Sequence, residues 1–368
     1  MHVGLNALHL VPGETGGSEI YARRLVPALL VADPNLRLTL FVAREGALLQ
    51  WPDGVAVERL PVSARSRPRR VLAEQTLLPA AVRRAGVELL HNLFTTAPAI
   101  ASVPQVTTIH DVIYERYPAA HAGLLSYGMR RLVPLAARRS RRVIAVSEAT
   151  KADVVRFLDV APERVDVTYE GPGMAMTASP TPPAELRERL DLGAAPIVLT
   201  VSAKRPHKNL ERLFDAFSRV DESAMLVVPG YATPFESELR DRAARTAGDR
   251  VRFTGWVSDA DLEGLYRAAT ALVFPSLAEG FGLPVLEAMV RRTPVACSNT
   301  TSLPEIAGEA ALLFDPLDVE AIADAIRRLL VDADLRRRLS DAGHDRAMKF
   351  TWEEAARKTI DSYRRTLA

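Results

Sequence analysis

Short apolar runs alternate with amphipathic helical stretches along the whole chain, and this alternation restricts the fold more than any other feature. The runs VGLNALHL, LRLTLFVA, VAVERL, VELLH, QVTTIH and RVIAVS come first, and PIVLTVS, AMLVVPG, RVRFTG, ALVFP and PVACS follow after a break. Near-continuous apolar strands separated by helical periodicity imply parallel sheets covered on both faces. Two doubly wound α/β units facing a central cleft are the expected result. A length of 368 residues supports this, because single cores stop growing at about 250–300 residues. The break is EGPGMAMTASPTPPAEL, where Gly171, Pro172, Gly173, Pro180, Pro182 and Pro183 interrupt all periodicity, as a linker does. The predicted units are residues 1–173 and 174–350, followed by a closing helix over 351–368. That helix, TWEEAARKTIDSYRR, opens with Thr351 and Glu354 in a capping-box pattern, and it is expected to brace the two units with Trp352 in an interface.

Several classes are excluded early. No stretch approaches the roughly 18 uninterrupted apolar residues of a membrane span. The opening MHVGLNALHL has no basic region or cleavage site, so it reads as a first strand and the expected location is cytoplasmic. One cysteine, Cys297, permits neither an internal disulfide nor a cysteine-built zinc site, and the run TPVAC makes it a core residue. No G-x-G-x-x-G follows the first strand, which argues against a dinucleotide oxidoreductase. Charge is uneven: residues 1–173 hold 21 Lys and Arg against 16 Asp and Glu, a net +5, while the remainder is net −3. The first half therefore suits an anionic partner.

In open parallel α/β sheets ligands sit beyond the carboxyl ends of the strands, so the segments that follow strands carry the chemistry. The glycine-rich turn GETGGSEIYARRL runs into a helix near Ser18, and Gly16 and Gly17 allow close approach of phosphate or sugar hydroxyls to backbone amides. In TTIHD, His110 and Asp111 end a buried strand, where unpaired polar groups are costly unless they face a ligand or a satisfying partner. In VSEATK, Ser147 is expected to cap the next helix. The segment VSAKRPHKNLERLFDAF clusters Lys204, Arg205, His207 and Lys208 after a core strand, which suits a pyrophosphate. The most specific segment is FPSLAEGFGLPVLEAM. It places Glu279 in a loop, Gly280 and Gly282 beside it, the amides of Phe281, Gly282 and Leu283 at a helix start, and Glu287 about a turn further on.

These segments, in this order, resemble glycosyltransferase family 4 over nearly the whole chain. The early GG turn, the HD pair, VSE, Pro-x-Lys-Asn, FTGWV and the Glu-x7-Glu of EGFGLPVLE all match. The resemblance implies the GT-B fold of two Rossmann-like domains, an N-terminal one for the acceptor and a C-terminal one for a nucleotide-diphosphate sugar. By matching motif, Lys208 corresponds to the lysine on the donor diphosphate, Glu279 to the glutamate near the transferred sugar and Glu287 to the one on the ribose. Gly280 and the amides of Phe281, Gly282 and Leu283 correspond to the donor loop, Gly255, Trp256 and Val257 to the neighbourhood of the base, and Gly17 to a phosphate contact. His110 corresponds to the histidine beside the sugar, so His110, Glu279 and Lys208 form the expected catalytic set, with Gly16 and Asp111 on the acceptor. One departure stands out: the family's Val-Gly-Arg-Leu reads Val201, Ser202, Ala203, Lys204 here. Ala203 replaces the usual phosphate-binding arginine, and Lys204, Arg205 or a more heavily used Lys208 must supply the charge.

The resemblance further implies retention of anomeric configuration by front-face displacement, without an obligatory metal and without a cofactor. GDP-mannose is the favoured donor, with UDP-hexoses next; the acceptor is a glycan, a lipid-linked sugar or a small molecule, and no nucleic acid is involved. The alternatives are a non-catalytic nucleotide-sugar-binding protein, or an epimerase or phosphorylase on the same scaffold. The arginine clusters RSRPRR at 65–70 and MRRLVPLAARRSRR at 129–142 point to peripheral contact with an anionic membrane, or to a helix whose apolar face packs on the sheet while its arginines stay solvated.

Overall fold

The computed structural model describes residues 1–117, 124–173, 179–220 and 223–368, of which 124–127 are described as backbone only. Residues 174–178 of the expected linker lie outside these. The chain divides into two compact units, Met1–Gly173 with Phe350–Ala368, and Met174–Lys349.

In the first unit the chain runs β1 (His2–Ala7), α1 (Gly17–Ala32), β2 (Arg37–Val42), β3 (Val55–Arg59), α2 (Arg67–Ala85), β4 (Leu89–Asn92), β5 (Gln105–Ile109), α3 (Ile113–Arg116), α4 (Leu124–Arg139), β6 (Arg142–Ala145), α5 (Glu148–Leu158) and β7 (Val165–Val167). Among the described residues its strands form one parallel sheet in the order β3-β2-β1-β4-β5-β6-β7. Strand order reverses between β1 and β4, which opens a crevice at their carboxyl ends.

In the second unit α6 (Pro183–Arg189) precedes β8 (Ile197–Leu199), α7 (Leu210–Ser218), β9 (Met225–Pro229), α8 (Glu236–Thr246), β10 (Val251–Gly255), α9 (Asp259–Ala268), β11 (Ala271–Phe274), α10 (Leu283–Val290), β12 (Val295–Ser298), α11 (Leu303–Ala307), β13 (Leu312–Phe314), α12 (Val319–Val331) and α13 (Ala333–Ala347). Its parallel sheet is ordered β10-β9-β8-β11-β12-β13, with the reversal between β8 and β11. Cys297 lies fully buried in β12, where burial pushes its thiol up to about 12, so it acts as a small apolar residue.

The closing helix α14 (Trp352–Leu367) belongs to the first unit. Thr351 caps it by accepting from the Glu354 amide at 3.1 Å, while the Glu354 carboxylate turns to Arg357 instead of completing a capping box. Its face of Ala355, Ala356, Ile360 and Tyr363 joins the core made by Val3, Leu5, Tyr21 and Leu25. Burying a large apolar side chain contributes about 1.5–3 kcal/mol, so loss of α14 would leave this core open. Trp352 lies edge-on to Tyr21 and donates to the Pro172 carbonyl at 2.9 Å. A Cβ on Gly171 would meet the Trp352 ring at 2.5 Å, so only glycine lets the chain cross there.

In α4, Val133 and Ala137 pack with Val143 and Val154 beneath the sheet. Of the neighbouring arginines, Arg142 makes a paired contact to Asp166 and Arg141 donates to the Thr366 carbonyl. Arg138 and Arg139 stay exposed. No helix among the described residues is long and apolar enough to cross a membrane.

Candidate functional site

Each unit carries a polar cluster beyond the carboxyl ends of its strands. In the second unit, the loops after β8 and β11 meet at the strand-order reversal. Lys208 ends the first loop and Glu279 lies in the second; their Nζ and Oε1 are 2.6 Å apart, with the side chains 15% and 11% exposed. The Lys208 ammonium also lies 5.3 Å from the centre of the Phe274 ring. Asn209 fixes this arrangement. It adopts a left-handed backbone, φ 59°, and its buried amide donates to the carbonyls of Pro275 and Pro316 at 3.0 and 2.8 Å. Three loops, after β8, β11 and β13, are thus tied to one side chain. Across β12, Thr301 accepts from the Glu279 amide at 3.0 Å and Ser302 donates to the Phe281 carbonyl at 2.7 Å, which fixes the loop on either side of Gly280.

Gly282 caps α10 with φ 113°, and a Cβ there would meet Leu303 at 2.8 Å. Only glycine permits the turn that brings Phe281, Gly282 and Leu283 to the helix start, with Pro284 in the first turn. One turn on, Glu287 is buried and accepts from the Tyr266 hydroxyl at 2.9 Å. Beneath it Arg291 and Glu263 form a fully buried pair at 2.5 Å, and the Arg291 guanidinium covers the Tyr266 ring. At the end of β10, Gly255 precedes Trp256, which is 63% exposed and stacked on Tyr231 at 4.5 Å; Val257 is half-buried beside it.

The expected cationic quartet does not assemble as four surface charges. Lys204 is fully buried, and its ammonium donates to the carbonyls of Gly230 and Val228 at 2.6 and 3.3 Å. Burial pushes it down to about 8. Gly230, φ 122°, lets the end of β9 come against the Ser202 carbonyl, where a Cβ would sit 2.2 Å away, and so within reach of the Lys204 ammonium. His207 is buried as well, whereas Arg205 is exposed. Lys204, expected at the donor phosphates, thus has its ammonium on the end of β9, while Arg205 is exposed and Lys208 partly so. Asp259 and Asp261 form an Asp-x-Asp pair after β10. It opens α9, and Asp261 accepts from Thr181 at 2.6 Å and pairs with Arg189, which engages it in the α6–α9 junction.

In the first unit His110 follows β5, 13% exposed, with its edge on Tyr21 at 4.7 Å. Its Nε2 lies 2.9 Å from the Leu93 carbonyl and its Nδ1 3.3 Å from Glu170 Oε1. Both partners only accept when Glu170 is ionised, so both are satisfied only by an imidazolium. Burial alone would lower the pKa of His110; the hydrogen bond and charge of Glu170, with the Leu93 carbonyl and Asp111, outweigh it and raise the pKa above the ordinary imidazole value. Glu170 carries no motif signal. Asp111 accepts from the Ile113 amide at 3.0 Å. Gly16 is the N-cap of α1 and Gly17 its exposed first residue, with Glu19 reaching back to the Gly13 amide at 2.8 Å. Ser147 caps α5 through the Thr150 amide.

Residues 15–171 match the family model described as Glycosyltransferase Family 4, and residues 184–346 match Glycosyl transferases group 1. The O-antigen chain mannosyltransferase B of Escherichia coli is 32% identical over 269 residues, spanning 70% of this chain and 70% of the relative. The chain belongs to this glycosyltransferase family. A sucrose-phosphate synthase from Thermosynechococcus elongatus superposes on the glycosyltransferase with a TM-score of 0.81 at 23% identity, covering 99% of this chain and 98% of that one. HepE of Anabaena, solved in complex with UDP and glucose, superposes with a TM-score of 0.78 at 21% identity over 99% and 100% of the two chains. The fold of the glycosyltransferase is GT-B, with two Rossmann-like domains.

Proposed function

We propose that the enzyme transfers a hexose with retention of configuration, and that its donor is GDP-mannose. The observation that carries this reading is the Lys208–Glu279 pair at the strand-order reversal of the second unit, beside the glycine-capped start of α10. Lys208 and Arg205 neutralise the donor diphosphate, and the amides from Gly280 to Leu283, with Gly17, share its oxygens. Glu279 takes hydroxyls of the transferred sugar, Glu287 those of the ribose, and the Tyr231–Trp256 stack with Gly255 and Val257 lies toward the base. His110 supplies a fixed positive charge, and Gly16 and Asp111 meet the acceptor, which is a glycan, a lipid-linked sugar or a small molecule. Charge placed before the reaction begins stabilises the leaving diphosphate without reorganisation. In the front-face step the bond from the anomeric carbon to the phosphate oxygen breaks while the bond to the acceptor oxygen forms on the same face. The acceptor proton passes to the departing oxygen.

Mannose as the sugar rests on the likeness to the O-antigen mannosyltransferase. A thermal-shift panel of GDP-mannose and UDP-glucose, run in excess EDTA, tests donor and metal independence together, since a ligand at 100 times its Kd adds about 2.7 kcal/mol. GDP-mannose should raise the melting temperature most, and product NMR should show the donor's anomeric configuration. A shift with UDP-glucose alone overturns the donor; turnover lost in EDTA and restored by magnesium overturns metal independence.

A further inference from the structure

Where the family's Val-Gly-Arg-Leu ends in leucine, this chain has Lys204, and its side chain is fully buried. Taking an ammonium out of water is costly unless hydrogen bonds replace the lost hydration, so the partners of Lys204 identify what it holds. They all lie at the end of β9. Nζ donates to the Gly230 carbonyl at 2.6 Å and to the Val228 carbonyl at 3.3 Å. The Thr233 hydroxyl donates back to the Lys204 carbonyl, so the turn from Gly230 to Thr233 is tied to this one residue at both ends.

The same turn carries one ring of an aromatic pair. Gly230 donates its amide to the Gly255 carbonyl at 2.9 Å, which joins the ends of β9 and β10 at the residues just before Tyr231 and Trp256. Those two rings stack at 4.5 Å with their planes 26° apart, and the Trp256 side of the stack is exposed. A continuous series of hydrogen bonds thus runs from the loop after β8, through Lys204, Gly230 and Gly255, to the residues that bear the rings.

We propose that Lys204 is a positioning residue for the donor base: it fixes the turn from Gly230 to Thr233 so that the Tyr231–Trp256 stack keeps one orientation, and it does not contact the phosphates. The proposal rests on the reading that this stack lies toward the base. Lys204→Met tests it, because methionine keeps the length and burial of the side chain and removes every N–H. The full chain, labelled with fluorotryptophan at its three tryptophans, is followed by fluorine NMR, with Trp256→Ala assigning the Trp256 signal; Trp51 and Trp352 belong to the first unit and report its folding. In Lys204→Met the Trp256 signal should move while the other two stay. By calorimetry GDP should bind about tenfold more weakly, toward the lower end of what a base–aromatic stack contributes, and pyrophosphate, which has no base, should bind as it does to the parent. Thr233→Val removes only the return bond to the Lys204 carbonyl; it should move the Trp256 signal and weaken GDP by less, and it decides the matter if Lys204→Met does not fold. Trp256→Ala should weaken GDP at least as much as Lys204→Met. GDP bound equally by the parent and Trp256→Ala defeats the base reading itself, whereas GDP weakened by Trp256→Ala but not by Lys204→Met overturns the positioning role alone. Equal losses of GDP and pyrophosphate in Lys204→Met return Lys204 to the phosphates, and a Trp256 signal unmoved in both Lys204→Met and Thr233→Val overturns the proposal.

Discussion

Replacing Glu170 by glutamine isolates the charge that holds His110. The two side chains are 13% and 4% exposed, so solvent screening takes little from their interaction. A hydrogen bond to a charged partner contributes about 1.5–3 kcal/mol, and the amide keeps the shape while losing the charge. His110 is raised in the folded state, so its contribution to stability is complete below the unfolded imidazole value of about 6.5 and fades as pH rises through the folded value. Glu170→Gln should therefore cost about 1.5–3 kcal/mol near pH 6 and clearly less near pH 9, where the amide can donate to a neutral Nδ1. Histidine NMR titration should show the His110 midpoint falling in the variant, while urea unfolding at the two pH values reads the stability difference. An unchanged His110 midpoint, or a difference that grows with pH, would refute the imidazolium assignment.

Lys208→Ala should lower kcat by about two to three orders of magnitude, the scale of losing one fixed charge in the transition state. It should also lower the melting temperature by stranding Glu279; Lys208→Ala with Glu279→Ala should recover stability but not turnover, and activity within a few-fold of the parent would remove Lys208 from the diphosphate. Calorimetry should show weaker nucleotide binding for Glu287→Ala and near-normal binding for Glu279→Ala with poor turnover, with Tyr266→Phe as control for the hydroxyl that Glu287 accepts. Equal nucleotide affinity in parent and Glu287→Ala would end the ribose role. Cosedimentation with anionic vesicles at low and high salt tests Arg138 and Arg139: binding that falls with salt and is lost in the double alanine variant supports peripheral attachment, and no binding at low salt makes this an ordinary solvated face.

The strands and their parallel pairing were legible because a core strand announces itself by apolar run length alone, as ALVF and VACS do. The caps at Ser147 and Thr351 were legible for a similar reason, since capping is a local bond between near neighbours. Loop phase was not. Lys204 and Arg205 are adjacent basic residues in one segment, yet one is fully buried and the other exposed, and the difference depends on Gly230, twenty-six residues away. Glu170 and the contacts of Asn209 escaped for the same cause. Each acts through partners distant in sequence, His110 for the first and the carbonyls of Pro275 and Pro316 for the second, and no local pattern registers those contacts, although Asn209 itself lies in the Pro-x-Lys-Asn run.

Strand order then explains why chemistry collects where it does. In both sheets the first three strands wind one way and the fourth is added on the other side, so two loops diverge at the reversal and leave a crevice that no crossover helix fills. In the second unit the diverging loops follow β8 and β11 and deliver Lys208 and Glu279, whose mutual pairing is the state a diphosphate must compete with. In the first unit they follow β1 and β4 and deliver His9 and Thr96, backed by a buried Glu74. A buried carboxylate is costly unless it is hydrogen-bonded, and Glu74 has Asn6 and Thr96 for that purpose. Replacing the cluster by apolar residues of similar volume would be no less stable on that reasoning. Stability alone therefore does not account for the polarity of this cluster.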